Sequence, residues 1–167
     1  MDLPAARARF CNAQAAIIEP VTQVDPAGAP CRIRPVCSDD VHAILDLWRA
    51  AEAEPSVTDA PDGLRTLIDR DRDALIVAEV DNHLAGVVIA GWDGWRANLY
   101  RLAVHPSHRR TGIALHLIRE AEGRLAALGA VRVNAVVVRH DARAVAFWTA
   151  AGYTRDERML RFRRDLH

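Results

Sequence analysis

The chain has 167 residues, of which 50% are hydrophobic and 26% charged, a composition that predicts one globular domain with a substantial core. The formal net charge is zero and no long basic block occurs, so we expect neither a nucleic-acid partner nor an anionic membrane surface. No apolar run reaches about 18 residues, and the N-terminus lacks a signal-like apolar core. These features predict a cytoplasmic protein.

Residue usage narrows the chemistry further. All 22 basic residues are arginine, which removes lysine as a catalyst. The three cysteines, Cys11, Cys31 and Cys37, are odd in number and form no CxxC pair, so neither a disulfide framework nor a zinc site is predicted. The seven histidines are not spaced as metal ligands, and no metal is expected.

The first part of the chain divides near residue 30. Residues 1–30 are rich in Ala and Pro and are predicted to form an N-terminal extension, partly helical or flexible, ahead of a domain at residues 31–167. CRIRPV predicts a first strand, and the helical spacing of apolar residues after Ser38 predicts a first helix. EPSVTDAPDGLRTLIDRD is expected to form a loop and a second, short helix.

Three strands are predicted next. DALIVAEV and HLAGVVIAGW form a hairpin with a tight turn at Asp81 and Asn82, and RANLYRLAV adds a fourth strand after the turn WDGW. Beyond it we predict a long helix ending at Gly129, an apolar strand VRVNAVVV, a short helix capped by Asp141, and one or two last strands in YTRDERMLRFRRDL. The order predicts an α/β fold, a mixed sheet with helices on its faces.

The loop VHPSHRRTGIA, residues 104–114, joins the fourth strand to the long helix. The first N–H groups of a helix have no intrahelical partner and attract anions such as phosphate. Gly112 lets a phosphate approach these amides, and Arg109 and Arg110 add positive charge. A strand–loop–helix joint without a ligand is the alternative interpretation of this stretch taken alone.

The surrounding residues decide between the two. Arg109 to Ala114 resembles the Arg/Gln-x-x-Gly-x-Gly/Ala acetyl-CoA motif of the GNAT superfamily of N-acetyltransferases, and residues 141–153 are similar to the second motif of that family. The resemblance covers roughly residues 31–165. It implies an α/β, single-domain GNAT fold with a mixed, mostly antiparallel sheet of six to seven strands flanked by about four helices.

The resemblance also implies how acetyl-CoA, as co-substrate, is held. Backbone amides of the loop would bind the diphosphate, and the pantetheine arm would lie along the fourth strand, where an amide near Val104 faces the thioester oxygen. The implied cofactor-binding residues are Leu102, Ala103, Val104, Arg109, Arg110, Thr111, Gly112, Ile113, Ala114, Asp141, Ala144, Phe147 and Trp148. The family also opens its sheet at a bulge that the sequence does not reveal.

The catalytic groups depart from the family pattern. Trp148 stands where many members have a Tyr acid, and an indole N–H does not give up its proton. The fourth strand carries no acid, so Asp93 is the candidate base, acting through a water, and Tyr100 the candidate phenol. Asp93 as a turn former that caps its own backbone is the alternative.

We predict transfer of an acetyl group from acetyl-CoA to a primary amine by direct attack in a ternary complex, without a covalent enzyme intermediate. The acceptor is a small molecule or a peptide, and the protein is expected to be a monomer or homodimer. A non-catalytic CoA-binding sensor or interaction module is the alternative, and a longer acyl group is a third possibility.

Overall fold

The computed structural model describes residues 21–24 and 30–166. These residues fall into two compact units, unit 1 ending at Val136 and unit 2 beginning at Val137. The helix predicted within the N-terminal extension lies outside the described residues.

Unit 1 is built on one sheet whose strand order follows the chain. The strands are β1 (Val21–Val24), β2 (Pro30–Pro35), β3 (Leu75–Val80), β4 (His83–Trp92), β5 (Ala97–Val104) and β6 (Val133–Ala135). Neighbouring strands are antiparallel except β5 and β6, which are parallel. The predicted mixed sheet, with β3, β4 and β5 as an antiparallel meander, is confirmed.

The expected number of six to seven strands is wrong for the predicted domain. That region contributes five strands, β2 to β6, and β1 joins the sheet from the segment predicted as an extension. Residues 153–166 contain no strand, and Met159, Leu160 and Phe162 within them are exposed. Leu160 and Phe162 alternate with arginines, as residues of a strand do, but a strand also needs a partner edge for its backbone groups.

The apolar run VRVNAVVV is also shorter as a strand than predicted. β6 has three residues, and Val131 and Val136 beside it are exposed rather than covered on both faces. Its ladder with β5 ends where Ala135 lies opposite Leu99, followed by one more bond from the Val136 N–H to the Leu99 carbonyl. β6 is therefore only as long as its pairing with β5, and the run of valines does not extend it.

The turn between β3 and β4 has the predicted form. Asp81 and Asn82 adopt φ values of 49° and 62°, as a two-residue hairpin turn requires, and both residue types tolerate this left-handed region. The strand pairing on either side of the turn is therefore fixed locally.

The described residues contain four α-helices, as predicted: α1 (Val41–Ala50), α2 (Pro61–Arg70) and α3 (Ile113–Ala127) in unit 1, and α4 (Ala142–Ala150) in unit 2. None of the helices in this described part is long and apolar enough to cross a membrane.

Helices cover both faces of the sheet in unit 1. On one face Ile44 and Trp48 of α1 and Leu64 of α2 join Val87 of β4 in one buried cluster. On the other face α3 lies so close to β4 that a Cβ at Gly86 would come within 2.9 Å of Ile113 and Leu117 side chains. This close approach fixes where α3 starts relative to the end of β5.

Candidate functional site

The loop from β5 to α3 turns through two left-handed residues. After a 3-10 turn at Pro106–His108, Arg110 and Gly112 adopt φ values of 66° and 85°. The Thr111 hydroxyl donates to the His108 carbonyl at 2.6 Å and holds the turn between them. Left-handed residues in a tight turn direct neighbouring N–H groups into a concavity that suits anions. We call the backbone amides of residues 110–114 the amide nest.

The start of α3 completes the nest. The first intrahelical bond runs from the His116 N–H to the Gly112 carbonyl at 3.1 Å, so the amides of Ile113 and Ala114 precede the hydrogen-bonded ladder. In the part of the chain that the structure describes, no backbone carbonyl accepts from residues 110–114. The dipole of this 15-residue helix adds partial positive charge at the same place.

Gly112 keeps the space around the nest open. A Cβ at this position would meet no atom nearer than the His116 ring, at 3.9 Å, so the fold itself does not require a glycine for packing. The φ of 85° does favour glycine over residues with a Cβ. A side chain here would occupy open space beside the nest.

Arg109 is placed differently from the prediction. Its N–H donates to the Pro106 carbonyl at 3.3 Å, its Nε to the Val104 carbonyl at 3.4 Å and its Nη2 to the Ala51 carbonyl at 3.0 Å. Both its amide and its guanidinium are therefore engaged within the protein. Arg109 anchors the loop, and the nest begins at Arg110.

The edge of β5 leads to the loop. Val104 lies opposite Gly86. The adjacent residues are hydrogen-bonded, from the His105 N–H to the Ala85 carbonyl at 2.8 Å, so Val104 and Gly86 form a non-hydrogen-bonded pair of the antiparallel ladder. The N–H of Val104 therefore points away from β4. Successive residues of a strand turn their backbone groups to opposite edges, so the main chain of Ala103 faces Val87 on β4. The Ala103 side chain is buried. Ala103 thus offers no group to this edge, contrary to the prediction.

A bulge interrupts β5 just before this edge. Val87 lies opposite Ala103 but Ile89 lies opposite Tyr100, so β5 carries one more residue than β4 between the pairs. Arg101, within the bulge, has a φ of 53°. A bulge bends the strand that carries it, and the ladder between β5 and β6 stops at Leu99, directly before it. The sheet therefore opens where the family resemblance implies a bulge.

Asp93 has the geometry of a turn former. Its Oδ1 accepts from the backbone N–H of Arg96 at 2.6 Å and of Trp95 at 2.8 Å. These two hydrogen bonds lower the pKa of the exposed Asp93 carboxyl, which weakens it as a proton acceptor. The structure thus favours the capping interpretation over the catalytic one.

Tyr100 lies on the face of the sheet that carries α1. It is opposite Ile89, and its ring packs over Gly91, where a Cβ would come within 3.0 Å of the ring. The neighbouring residue is Arg101 of the bulge. Of the two predicted catalytic residues, Tyr100 is therefore the one next to the opening of the sheet.

Unit 2 carries the second predicted motif. The Asp141 Oδ1 accepts from the N–H groups of Arg143 and Ala144, each at 3.0 Å, and so caps α4. Trp148 is buried and makes edge contacts with the rings of Tyr153, at 4.7 Å, and Phe147, at 5.6 Å. Capping and ring packing are what the structure shows for these residues within their own unit.

Sequence reasoning missed Arg101 and the anchoring role of Arg109. A single charged residue inside the apolar stretch NLYRLAV was a signal for Arg101, since a charge in a half-buried strand needs partners. Across residues 21–24 and 30–166 the structure has no group of three or more potential metal ligands.

The chain is similar to known proteins of one family. The model of the acetyltransferase (GNAT) family matches residues 41–153. An acetyltransferase of Pectobacterium atrosepticum is 35% identical over 113 residues, which cover 68% of this chain and 79% of the relative.

Two solved structures share the fold. Ard1 from Thermoplasma volcanium superposes with a TM-score of 0.67 at 16% identity, covering 74% of this chain and 82% of Ard1. The aminoglycoside N-acetyltransferase AAC(6')-Iy in complex with CoA gives 0.66 at 20% identity, covering 84% and 99%.

Proposed function

Because the chain belongs to the acetyltransferase (GNAT) family, we propose that it transfers an acetyl group from acetyl-CoA to a primary amine by direct attack within a ternary complex. The observation that carries the proposal is the continuity of the amide nest with the edge of β5. Only five residues lie between Val104 and Arg110, so one extended ligand can contact both.

The fit of the coenzyme rests on the polarity of these two surfaces. The nest offers backbone N–H donors and a helix N-terminus, which suit a diphosphate. The edge of β5 offers the Val104 N–H, and by strand alternation the main chain of Leu102, which suit the amides of a pantetheine arm. Acetyl-CoA supplies the acetyl thioester when bound.

The chemistry of the coenzyme thiol and of Trp148 favours acetyl transfer without an acid catalyst. A thiol has a pKa near 8.5, so a thiolate leaves without strong assistance, and the indole of Trp148 cannot supply a proton. The Val104 N–H is a donor for negative charge that develops on a carbonyl oxygen at this edge. An alkyl ammonium has a pKa near 10.4, so the attacking species is the neutral fraction of the amine, whose proton has passed to water. A neutral phenol is not a base, so Tyr100 is a candidate hydrogen-bond donor and not the group that takes this proton.

The cysteines support direct attack. Cys31 is buried in β2 and Cys37 follows that strand. β2 is separated from β5 by β3 and β4, which at about 4.8 Å per strand places it roughly 14 Å away. Neither described thiol is therefore near the proposed thioester position.

The alternative is a module of the same fold that binds CoA without turnover. Binding of CoA measured by calorimetry, followed by mass spectrometry of a panel of amines incubated with acetyl-CoA, separates the two. The panel would hold an aminoglycoside, a polyamine, an amino acid and a peptide with a free N-terminus. Acetylation of one class confirms the proposal and identifies the acceptor, whereas tight CoA binding with no acetylated amine supports the module.

A further inference from the structure

Arg101 combines an unusual backbone with a heavily engaged side chain. Its φ of 53° lies in a region that residues with a Cβ avoid, at the bulge that opens the sheet. Its guanidinium stacks on the Trp48 ring of α1, with the Cζ atom 4.3 Å from the ring centroid. The bulge carries Arg101 onto the same face of the sheet as α1.

The guanidinium also binds the segment between α1 and α2, residues 51–60, which we call the α1–α2 segment. Nη1 donates to the Glu54 carbonyl at 2.7 Å, and Nη2 donates to the Asp59 carboxylate at 2.5 Å. The two side chains of the Arg101–Asp59 pair are 19% and 15% exposed. An ion pair that is so well shielded from water is screened much less than a surface pair.

Asp59 also forms hydrogen bonds within the α1–α2 segment. The oxygen that binds Arg101 also accepts from the Ser56 N–H at 2.8 Å, and the Asp59 N–H donates to the Ser56 carbonyl at 2.9 Å. The segment has no helix or strand of its own. Its conformation therefore depends on contacts of this kind.

A second arginine holds the start of the same segment. Arg109 Nη2 donates to the Ala51 carbonyl at 3.0 Å and its Nε donates to the Val104 carbonyl on the edge of β5. The α1–α2 segment is thus attached at two points, Ala51 and Glu54–Asp59, to the elements proposed to hold the coenzyme.

We infer that Arg101 is a positioning residue for the proposed acetyl transfer: it fixes the α1–α2 segment against the β5 bulge and so shapes the side from which the acceptor amine approaches. The inference rests on the proposed function. It assigns Arg101 no contact with the reacting atoms. Loss of the Arg101 side chain should therefore impair use of the acceptor far more than binding of CoA.

Substitution by glycine separates the backbone role of position 101 in the bulge from the contacts of its side chain. Arg101→Gly retains the positive φ of the bulge without strain but removes the contacts to Glu54, Asp59 and Trp48. Arg101→Lys keeps one charge but not the two-pronged geometry. Asp59→Asn weakens the attachment without a change in β5. Arg65→Ala is the matched control, because it removes an exposed arginine from an ion pair with Asp62 on α2.

The experiment is hydrogen exchange of residues 51–60 in each full-length variant, together with CoA affinity by calorimetry and steady-state kinetics with the amine found in the panel. In Arg101→Gly we expect exchange in the segment to be about tenfold faster, with CoA affinity within about twofold of wild type. The KM for the amine should rise, or kcat fall, by about tenfold. Arg101→Lys and Asp59→Asn should give smaller changes in exchange and in amine kinetics, and Arg65→Ala should leave both unchanged.

The possible failures are distinct. Unchanged exchange of residues 51–60 in both Arg101→Gly and Asp59→Asn would overturn this inference while CoA binding still supported the proposed function. An equal loss of CoA affinity and of amine use would also overturn it, because the residue would then support the coenzyme. A wild-type protein that does not bind CoA would overturn the proposed function, whatever the exchange data show.

Discussion

Arg124 of α3 binds Asp71 through two hydrogen bonds from Nη2, at 2.7 and 2.6 Å, while its Nη1 donates to the Ala90 carbonyl of β4 at 3.0 Å. The Arg124 side chain is 2% exposed and the Asp71 side chain 36%. One partner of this ion pair is therefore buried and the other reaches water.

This asymmetry predicts unequal effects of mutation. Asp71→Ala leaves a buried guanidinium without its anion and should lower the free energy of unfolding by about 3 kcal/mol. Arg124→Met replaces the guanidinium by an apolar side chain and leaves a carboxylate that water can reach, so the loss should be nearer about 1 kcal/mol. Urea denaturation of both variants measures the difference. Equal losses would show that the cation is not the costly partner.

Substitution of Gly112 should weaken CoA binding. Gly112→Val forces a β-branched residue to a φ of 85° and fills the space beside the amide nest, and we expect CoA affinity to fall at least about tenfold, or roughly 1.4 kcal/mol. Gly112→Asn tolerates the backbone but still fills the space, so it should also bind CoA weakly. Calorimetry with CoA measures both.

A second glycine provides the control. Gly123 lies inside α3, and a Cβ there would meet nothing within 4 Å, so Gly123→Ala should stabilise the helix by up to about 1 kcal/mol and leave CoA affinity unchanged. Unaltered affinity in the Gly112 variants would show that the nest does not bind the diphosphate.

Asp93→Asn should leave the pH dependence of activity unchanged. The Arg96 and Trp95 amides hold the pKa of Asp93 below its ordinary value, so the carboxylate stays ionised throughout the neutral range. Its stabilising effect on the turn is present above the ordinary pKa of about 3.9 and is lost as the pH falls through the lowered one. The variant should therefore differ from wild type in stability above that range and converge with it in acid.

Two measurements test this. The pH–rate profile between about pH 6 and 9, the range in which an alkyl amine acceptor begins to deprotonate, should superpose on that of wild type. Thermal unfolding across an acidic series should show the convergence. A displaced pH–rate profile would restore Asp93 as a proton relay.

Trp148→Tyr should fold and remain active. The indole is buried against Tyr153 and Phe147, so the smaller ring should cost about 1 kcal/mol of stability. Because an indole is no proton donor in the reaction, kcat should be unchanged or higher. Chemical denaturation and the amine assay measure the two effects. A folded but inactive variant would show that the indole itself is needed.

Local sequence patterns fixed much of unit 1. The turn at Asp81 and Asn82, the meander of β3 to β5 and the long helix after Gly112 follow from turn chemistry and hydrophobic period, which act between residues near each other in the chain. The resemblance of Arg109 to Ala114 to the acetyl-CoA motif of the family could be found for the same reason, since the nest is one continuous loop. The prediction of strands in residues 153–166 was wrong because a local pattern of residues does not show whether a neighbouring strand is available to pair with.

The amino-acid sequence by itself determined the family, the loop at residues 104–114 and the antiparallel meander, all of which are encoded in contiguous residues. The tertiary structure alone decided the bulge at Arg101, the attachment of the α1–α2 segment and the anchoring of Arg109. Arg101 and Asp59 are 42 residues apart, and Arg109 and Ala51 are 58 apart. Contacts at such separations depend on how strands and helices pack, which no local pattern of residues records.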